Sequence, residues 1–171
     1  MNTESASSAV YETLNALHIS YRTLHHAAAR TMADCAGVSA ALGATECKNF
    51  FLTTKSHKIF ALALTRPDVR FQTSSVSKQA GTPRLTFANE ADMQHFLHTY
   101  PGAVSPMGLI FDTENQVRVL IDEGLRDCES LAFHPCDNTE SLAMRTSDFL
   151  NVFLPFLHKT PEWIEMDVPQ D

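Results

Sequence analysis

Four short segments of this chain put polar side chains or unusual backbone where the surrounding pattern reads as strand or strand end. Lys48–Asn49 opens a very apolar run, so a fixed cation with an amide beside it stands ready for an oxygen-rich ligand; the competing role is an edge lysine snorkelling to water. Gly102–Ala103–Val104–Ser105–Pro106 combines a residue free to take positive φ with one that has no N–H. A loop so punctuated can turn its remaining amides outward as donors for an anion, or simply join a helix to a strand. His134 lies between Phe133 and Pro135, with Asn138 just beyond; the proline disfavours helix and ends a strand there, leaving the imidazole near a sheet edge. In Leu24–His25–His26, alternation along a strand turns one of the two histidines inward.

Other candidates carry less chemistry. His95 and His98 stand at helical i, i+3 spacing, but no third ligand accompanies them, and they read as a solvated helix face. Cys136 lies two residues from His134 without a third group to orient a Cys–His pair. The four cysteines, Cys35, Cys47, Cys128 and Cys136, contain no CxxC pair, which argues against a zinc ribbon, a redox site or a disulfide framework. There is no GxSxG, Walker loop or GxGxxG, so covalent serine catalysis and nucleotide-phosphate binding drop out. No metal or cofactor is expected.

The elements that must position these residues follow from periodicity. Residues 5–17 read as an amphipathic helix, Tyr21–His25 as a short strand, and a second helix runs from a Thr31 cap to Gly43. Residues 49–52 and 59–64 flank a polar turn as a hairpin whose continuous apolar runs belong inside a sheet. Further strands are expected at 84–87, 107–111, 117–121, 131–134 and 141–144, a helix capped by Asn89 through His98, and a last helix over 147–157. The sum is an α+β chain on a mixed, mostly antiparallel sheet, curled and barrel-like because closure removes edges, wrapped by helices.

A length of 171 residues fits a single domain, 1–171, able to bury about 70% of its unfolded surface without a metal or disulfide. The acidic stretch 161–171 reads as a loosely ordered tail. No apolar run approaches a membrane span and residues 1–14 lack the pattern of a signal peptide, so a cytoplasmic location without a membrane partner is expected. Thirteen basic and 20 acidic residues give a net charge of -7, which speaks against DNA or another extended polyanion. The distribution is uneven: Lys48 to Arg84 holds seven basic residues and one acid, a local +6, against -13 for the remainder. That is either a patch or a fluctuation spread over several faces.

Taken in order, Lys48–Asn49–Phe50–Phe51–Leu52, Arg84–Leu85–Thr86–Phe87–Ala88, Pro101–Gly102–Ala103–Val104–Ser105–Pro106–Met107–Gly108–Leu109 and Phe133–His134–Pro135–Cys136–Asp137–Asn138–Thr139 resemble the YbaK / prolyl-tRNA synthetase-associated editing domains. The resemblance covers about residues 10–157. It implies hydrolysis of amino acids wrongly attached to proline tRNA, usually alanine, with cysteine as the alternative and a non-catalytic tRNA- or synthetase-binding module as a different class. The implied partners are the acceptor end of mischarged tRNA and a prolyl-tRNA synthetase. The resemblance assigns Lys48, the Gly102–Pro106 loop and His134 to the catalytic site. Asn49, His26 and Asn138 are expected beside the substrate, and Met32, Leu42 and Phe50 as walls of an amino-acid pocket, with a plain core role competing. Lys55, Lys58 and Arg84 are the expected contacts to tRNA. The chain departs from the family at Phe111–Asp112, where an Asn-Asp pair is frequent, and at Cys136, where Asn is common.

Overall fold

Strands β3 (Lys48–Thr54) and β4 (Phe60–Thr65) form the expected antiparallel hairpin, with Phe51 opposite Leu62 and Leu52 opposite Ala61. The structure, a computed structural model, describes residues 3–28 and 32–170, with side chains described from Ser5 onward except at 32–36. The expected Thr31 cap and the side chains of Met32 and Cys35 lie outside the described residues. A strand that is apolar on both faces must be covered on both, and this pair is. Phe51, Leu62 and Leu64 face a large core shared with Val10 and Leu14 of helix α1 (Thr3–Ala16) and with Phe149 and Phe153. Leu52, Ala61 and Ala63 face a smaller cluster with Val76 of α3 (Thr73–Ala80) and Leu85 of β5 (Leu85–Phe87).

The remaining elements are β1 (Tyr21–His25), α2 (Met32–Leu42), β2 (Thr45–Glu46), α4 (Glu90–Leu97), β6 (Val117–Asp122), β7 (Ser130–Phe133), β8 (Glu140–Arg145) and β9 (Glu162–Ile164). The strands divide into two sheets, β1-β8-β7-β2 and β5-β3-β4-β6-β9. Four pairings are antiparallel and three parallel, so the mixed α+β class holds. The expected single barrel-like sheet does not: two sheets share the strands. The chain passes from one to the other through buried Cys47, between β2 and β3.

Two expectations are corrected. Residues 107–111 form a 3-10 helix, Pro106–Phe111, not a strand. Pro106 fits a first helical turn because its missing N–H is not needed there, and Ser105 Oγ caps it by accepting from the Met107 amide at 3.1 Å. Gly108 then seats this turn on α4: a Cβ there would lie 2.5 Å from the Leu97 carbonyl oxygen. The stretch after Pro161 is also not a loose tail as far as Ile164. It pairs with β6 as β9, buries Ile164, and receives a hydrogen bond from Gln79 to the Glu165 carbonyl. The acidic count concealed this, because Trp163 and Ile164 supply the apolar surface.

The C-terminal helix starts near the expected point but is built of Thr146–Asp148, a π-helical Phe149–Phe153 and Leu154–Phe156. Pro155 cannot donate to the preceding turn, and the widened turn lies just before it. Beyond the helix, Lys159 is buried and its ammonium donates to Asp112 Oδ2 at 2.5 Å, Asn115 Oδ1 at 2.6 Å and the Val117 carbonyl at 2.7 Å. Asp112 also accepts the amides of Gln116 and Val117. The buried ion pair of Asp112 with Lys159 thus fixes the start of β6, and the departure from the family's Asn-Asp pair is confined to Phe111. Asp112→Ala should cost about 3–5 kcal/mol in chemical denaturation by leaving the lysine charge unpaired. Adding Lys159→Met to Asp112→Asn should recover most of that loss.

Candidate active site

The parallel pairing of β2 with β7 sets Thr45 beside Leu131 and Glu46 beside Ala132. Two residues farther along each strand stand Lys48 and His134, so the pair sends both out at the same end. Alternation then decides which side chains share a face. Lys48 falls on the face of β3 that carries Phe50 and Leu52, whereas Asn49 falls with Phe51 toward the large core. Lys48 is half-buried and enters no ion pair among the described residues. The Asn49 amide nitrogen donates to the Cys47 carbonyl at 3.1 Å, and its Oδ1 is buried without a hydrogen-bond partner.

His134 leaves β7 with its ring held. Nδ1 lies 2.7 Å from the Glu140 carbonyl oxygen, and because a carbonyl only accepts, Nδ1 carries the proton. Nε2 is therefore a lone-pair acceptor when the ring is neutral. Burial is the main cause holding the His134 pKa below the usual 6.5, with nearby His26 acting in the same direction. His26 is fixed in the same manner, Nδ1 donating to its neighbour's carbonyl at Ala27, 2.7 Å away. Its Nε2 then accepts from Ser141 Oγ at 2.8 Å. Ser141 also sits 3.5 Å from His134 Nδ1, and the two imidazole centroids are 6.0 Å apart. The expected alternation in β1 holds: His25 is largely exposed and meets Glu140 Oε1 at 3.0 Å, while His26 turns toward Ser141.

The Gly102 loop reaches this end through Tyr100. The Tyr100 hydroxyl donates to Asn138 Oδ1 at 2.9 Å and accepts the Asn138 amide at 3.1 Å, joining the loop to the residues after His134. Gly102 takes φ +94, a left-handed backbone that suits glycine. The Ala103 amide is used internally, donating to the Tyr100 carbonyl. The amides of Gly102, Val104 and Ser105 donate to no acceptor among the described residues. The loop thus keeps three N–H groups uncommitted while Ala103, Ser105 and Pro106 are buried, and amides of this kind can serve as donors to an anion.

Other expected residues lie elsewhere. Leu42 is buried, and Phe50 stacks on Phe71 at 3.9 Å between centroids. Lys55 and Lys58 are exposed in the β3–β4 turn, and Arg84 just precedes β5, one residue beyond the Thr54–Leu85 pair. These three therefore gather at the far end of β3, about 23 Å from Lys48 at a rise of ~3.3 Å per residue. The +6 stretch is smaller as a free charge, because Arg66 makes a two-pronged pair with buried Asp122. Cys136 is fully buried, bonds the Leu97 carbonyl at 3.8 Å, and burial pushes its thiol up to about 12; it is not a nucleophile. His98 is not part of a solvated helix face: it caps α4 at φ +50 and stacks on Phe111 at 4.0 Å. Among the described residues no group of three or more His, Cys, Asp or Glu side chains is placed to hold a metal.

Sequence reasoning passed over Tyr100, Glu140 and Ser141. Ser141 had a signal, since alternation from the apolar Leu142 puts it on the same face as His134. Glu140, which accepts from Ser7 at 2.9 Å and Tyr11 at 3.2 Å, had none, because its partners lie over 100 residues away.

Residues 26–152 match the model of the aminoacyl-tRNA editing domain. The chain is 27% identical over 143 residues to a prolyl-tRNA editing protein ProX of Acetoanaerobium sticklandii, covering 84% of this chain and 87% of that protein. It is 30% identical over 123 residues to prolyl-tRNA synthetase associated domain-containing protein 1 of Xenopus laevis, with 70% of each chain covered. A crystal structure of a candidate trans-editing enzyme for prolyl tRNA synthetase superposes with a TM-score of 0.71 at 14% identity, covering 95% of this chain and 96% of that one, a likeness of fold. With its two-sheet α+β fold and a match across most of its length, the chain belongs to the aminoacyl-tRNA editing domain family.

Proposed function

We propose that the chain is a trans-acting hydrolase that removes a wrongly attached amino acid, alanine first among them, from proline tRNA. The observation that carries this reading is the trio of uncommitted amides at Gly102, Val104 and Ser105, on a loop that Tyr100 ties to the segment following the fixed ring of His134. An aminoacyl ester is already activated, so its hydrolysis needs a placed water and a home for the tetrahedral oxyanion, not a covalent nucleophile. The family match and the similarity to a ProX editing protein support the substrate class.

In this mechanism a water oxygen attacks the ester carbonyl carbon, and the carbonyl oxygen becomes an oxyanion held by the loop amides. Each such donor is worth roughly 2.7–4 kcal/mol in other oxyanion holes. The bond from carbonyl carbon to ribose oxygen then breaks and the ribose oxygen takes a proton. His134 Nε2, an acceptor, orients the attacking water or the adjacent ribose hydroxyl. Lys48 leaves the same strand end and places a charge on the terminal phosphate or the carbonyl. Lys55 and Lys58, in the turn at the far end of β3, grip the acceptor stem rather than its last nucleotide, and Arg84 beside them contacts the same arm of the tRNA. A synthetase pocket cut for proline rejects alanine weakly, since a missing methylene is worth only ~1–3 kcal/mol, and a second, smaller site supplies the difference.

The test is release of amino acid from alanyl-, cysteinyl- and prolyl-tRNA(Pro). Alanine release by the wild type, with kcat/KM reduced roughly 10- to 100-fold in a folded Lys48→Ala protein, is the expected result; one lost charge-assisted bond is of that size. Release of cysteine alone would move the substrate, and release of nothing would sink the reading.

A pH series tests His134 separately. A folded-state pKa held below 6.5 keeps the ring neutral where free imidazole is half protonated. Activity should therefore persist through pH 6.5 and fall only on the acid side of it, and His134→Gln should flatten that acid limb. The same depressed pKa makes its share of stability full above the unfolded value and lost as pH falls from there through the folded pKa.

A further inference from the structure

Three phenylalanines outside the main core form one aromatic group. Phe50 of β3 and Phe71, ahead of α3, stack at 3.9 Å and 17°; Phe87 of β5 leans against both at 6.2 Å, tilted by 44° and 37°. The register puts Phe87 opposite Leu52, so alternation sets it on the same face of the sheet as Phe50 and Lys48. Phe50 and Phe71 are half-buried, but Phe87 is 63% exposed, the most exposed large apolar side chain described. The packing does not use the outer part of its ring.

The charges around the group match one kind of occupant. Lys48 lies two residues before Phe50, Arg70 immediately before Phe71, and Arg84 three before Phe87. None of the three cations enters an ion pair among the described residues, in contrast to Arg66, Arg118 and Lys159. Arg84 is tethered instead, its Nε donating to Thr73 Oγ1 at 3.2 Å. Open aromatic surface interleaved with unpaired cations is how proteins hold unpaired nucleotides: rings take the bases and cations take the phosphates. Lys48 and Phe50 are two residues, about 7 Å, apart along the strand, the scale of one nucleoside.

We propose that Phe87, backed by the Phe50–Phe71 stack, is a stacking platform for an unpaired base at the 3′ end of the tRNA, with Arg70 and Arg84 holding the adjoining phosphates. This rests on the tRNA reading above and adds to it the place where the strand end lies. Stacking reads no base identity, so the platform positions the ester near Lys48 without selecting the tRNA.

The probe is a short RNA ending in CCA with 2-aminopurine as its last base, whose fluorescence is quenched on stacking. Quenching by the wild-type protein, with Kd raised roughly tenfold or more in Phe87→Ala and restored in Phe87→Trp, is the expected result. Phe156→Ala, which removes a 54% exposed ring in contact with none of the three, should leave the quenching intact. KM for mischarged tRNA should rise in Phe87→Ala. Absence of quenching with the wild type, or quenching of equal strength in Phe87→Ala, overturns the platform. Because the binding assay involves no turnover, it fails independently of the deacylation panel: hydrolysis with an unchanged Kd in Phe87→Ala rejects the platform alone. Loss of all hydrolysis rejects the enzymatic reading and leaves the stacking result standing.

Discussion

Cys47 is a single buried residue between a strand that pairs in parallel with β7 and a strand that pairs antiparallel with β4. With no room for a loop, the strand alternation of β2 runs on into β3, and the faces of the two sheets are tied together. Moving the register by one residue would turn Lys48 toward the core and Asn49 outward. The exit of the lysine at the same strand end as His134, the partnerless oxygen of Asn49 and the sharing of one face by Lys48 and Phe50 all follow from this link. Its thiol suits the place: burial raises its pKa, so it stays an uncharged, small apolar group.

Backbone carbonyls impose the second ordering. His26 and His134 each spend Nδ1–H on a carbonyl, one on Ala27 and the other on Glu140, so both present Nε2 as an acceptor. For His26 that acceptor is filled by Ser141, and for His134 it meets no donor among the described residues. Burial, and after it the neighbouring His26 ring, opposes protonation of His134. The proposed site thus offers an imidazole acceptor and amide donors, a balance suited to guiding water rather than forming a covalent intermediate.

Elements with a strong local period were legible in the sequence. The hairpin of β3 and β4, the Asn89 cap, whose Oδ1 accepts the Asp92 amide at 2.8 Å, and the short β1 are where alternation and capping chemistry place them. The 3-10 turn at Pro106–Phe111 was not, because five consecutive residues with apolar character satisfy a buried strand and a buried turn alike. What decided it was Gly108 against the Leu97 carbonyl, a tertiary contact. At the site, His134, His26 and the Gly102 loop could be picked out from local punctuation. Their meeting through Tyr100, Asn138 and Ser141 depends on sheet order, which no window of sequence contains. Charge was the least legible: the basic run is dense in sequence, yet Arg66 is neutralised across 56 residues by Asp122.

The parallel pairing of β9 with β6 bears on how the chain is made. Parallel neighbours need a crossover between them, and here about 40 residues separate Asp122 from Glu162. During synthesis, β6 pairs with β4 on one side while its other edge stays open until Trp163 and Ile164 have left the ribosome. The nascent chain thus exposes an apolar strand edge, Val117 to Ile121, through the making of β7, β8 and the C-terminal helix.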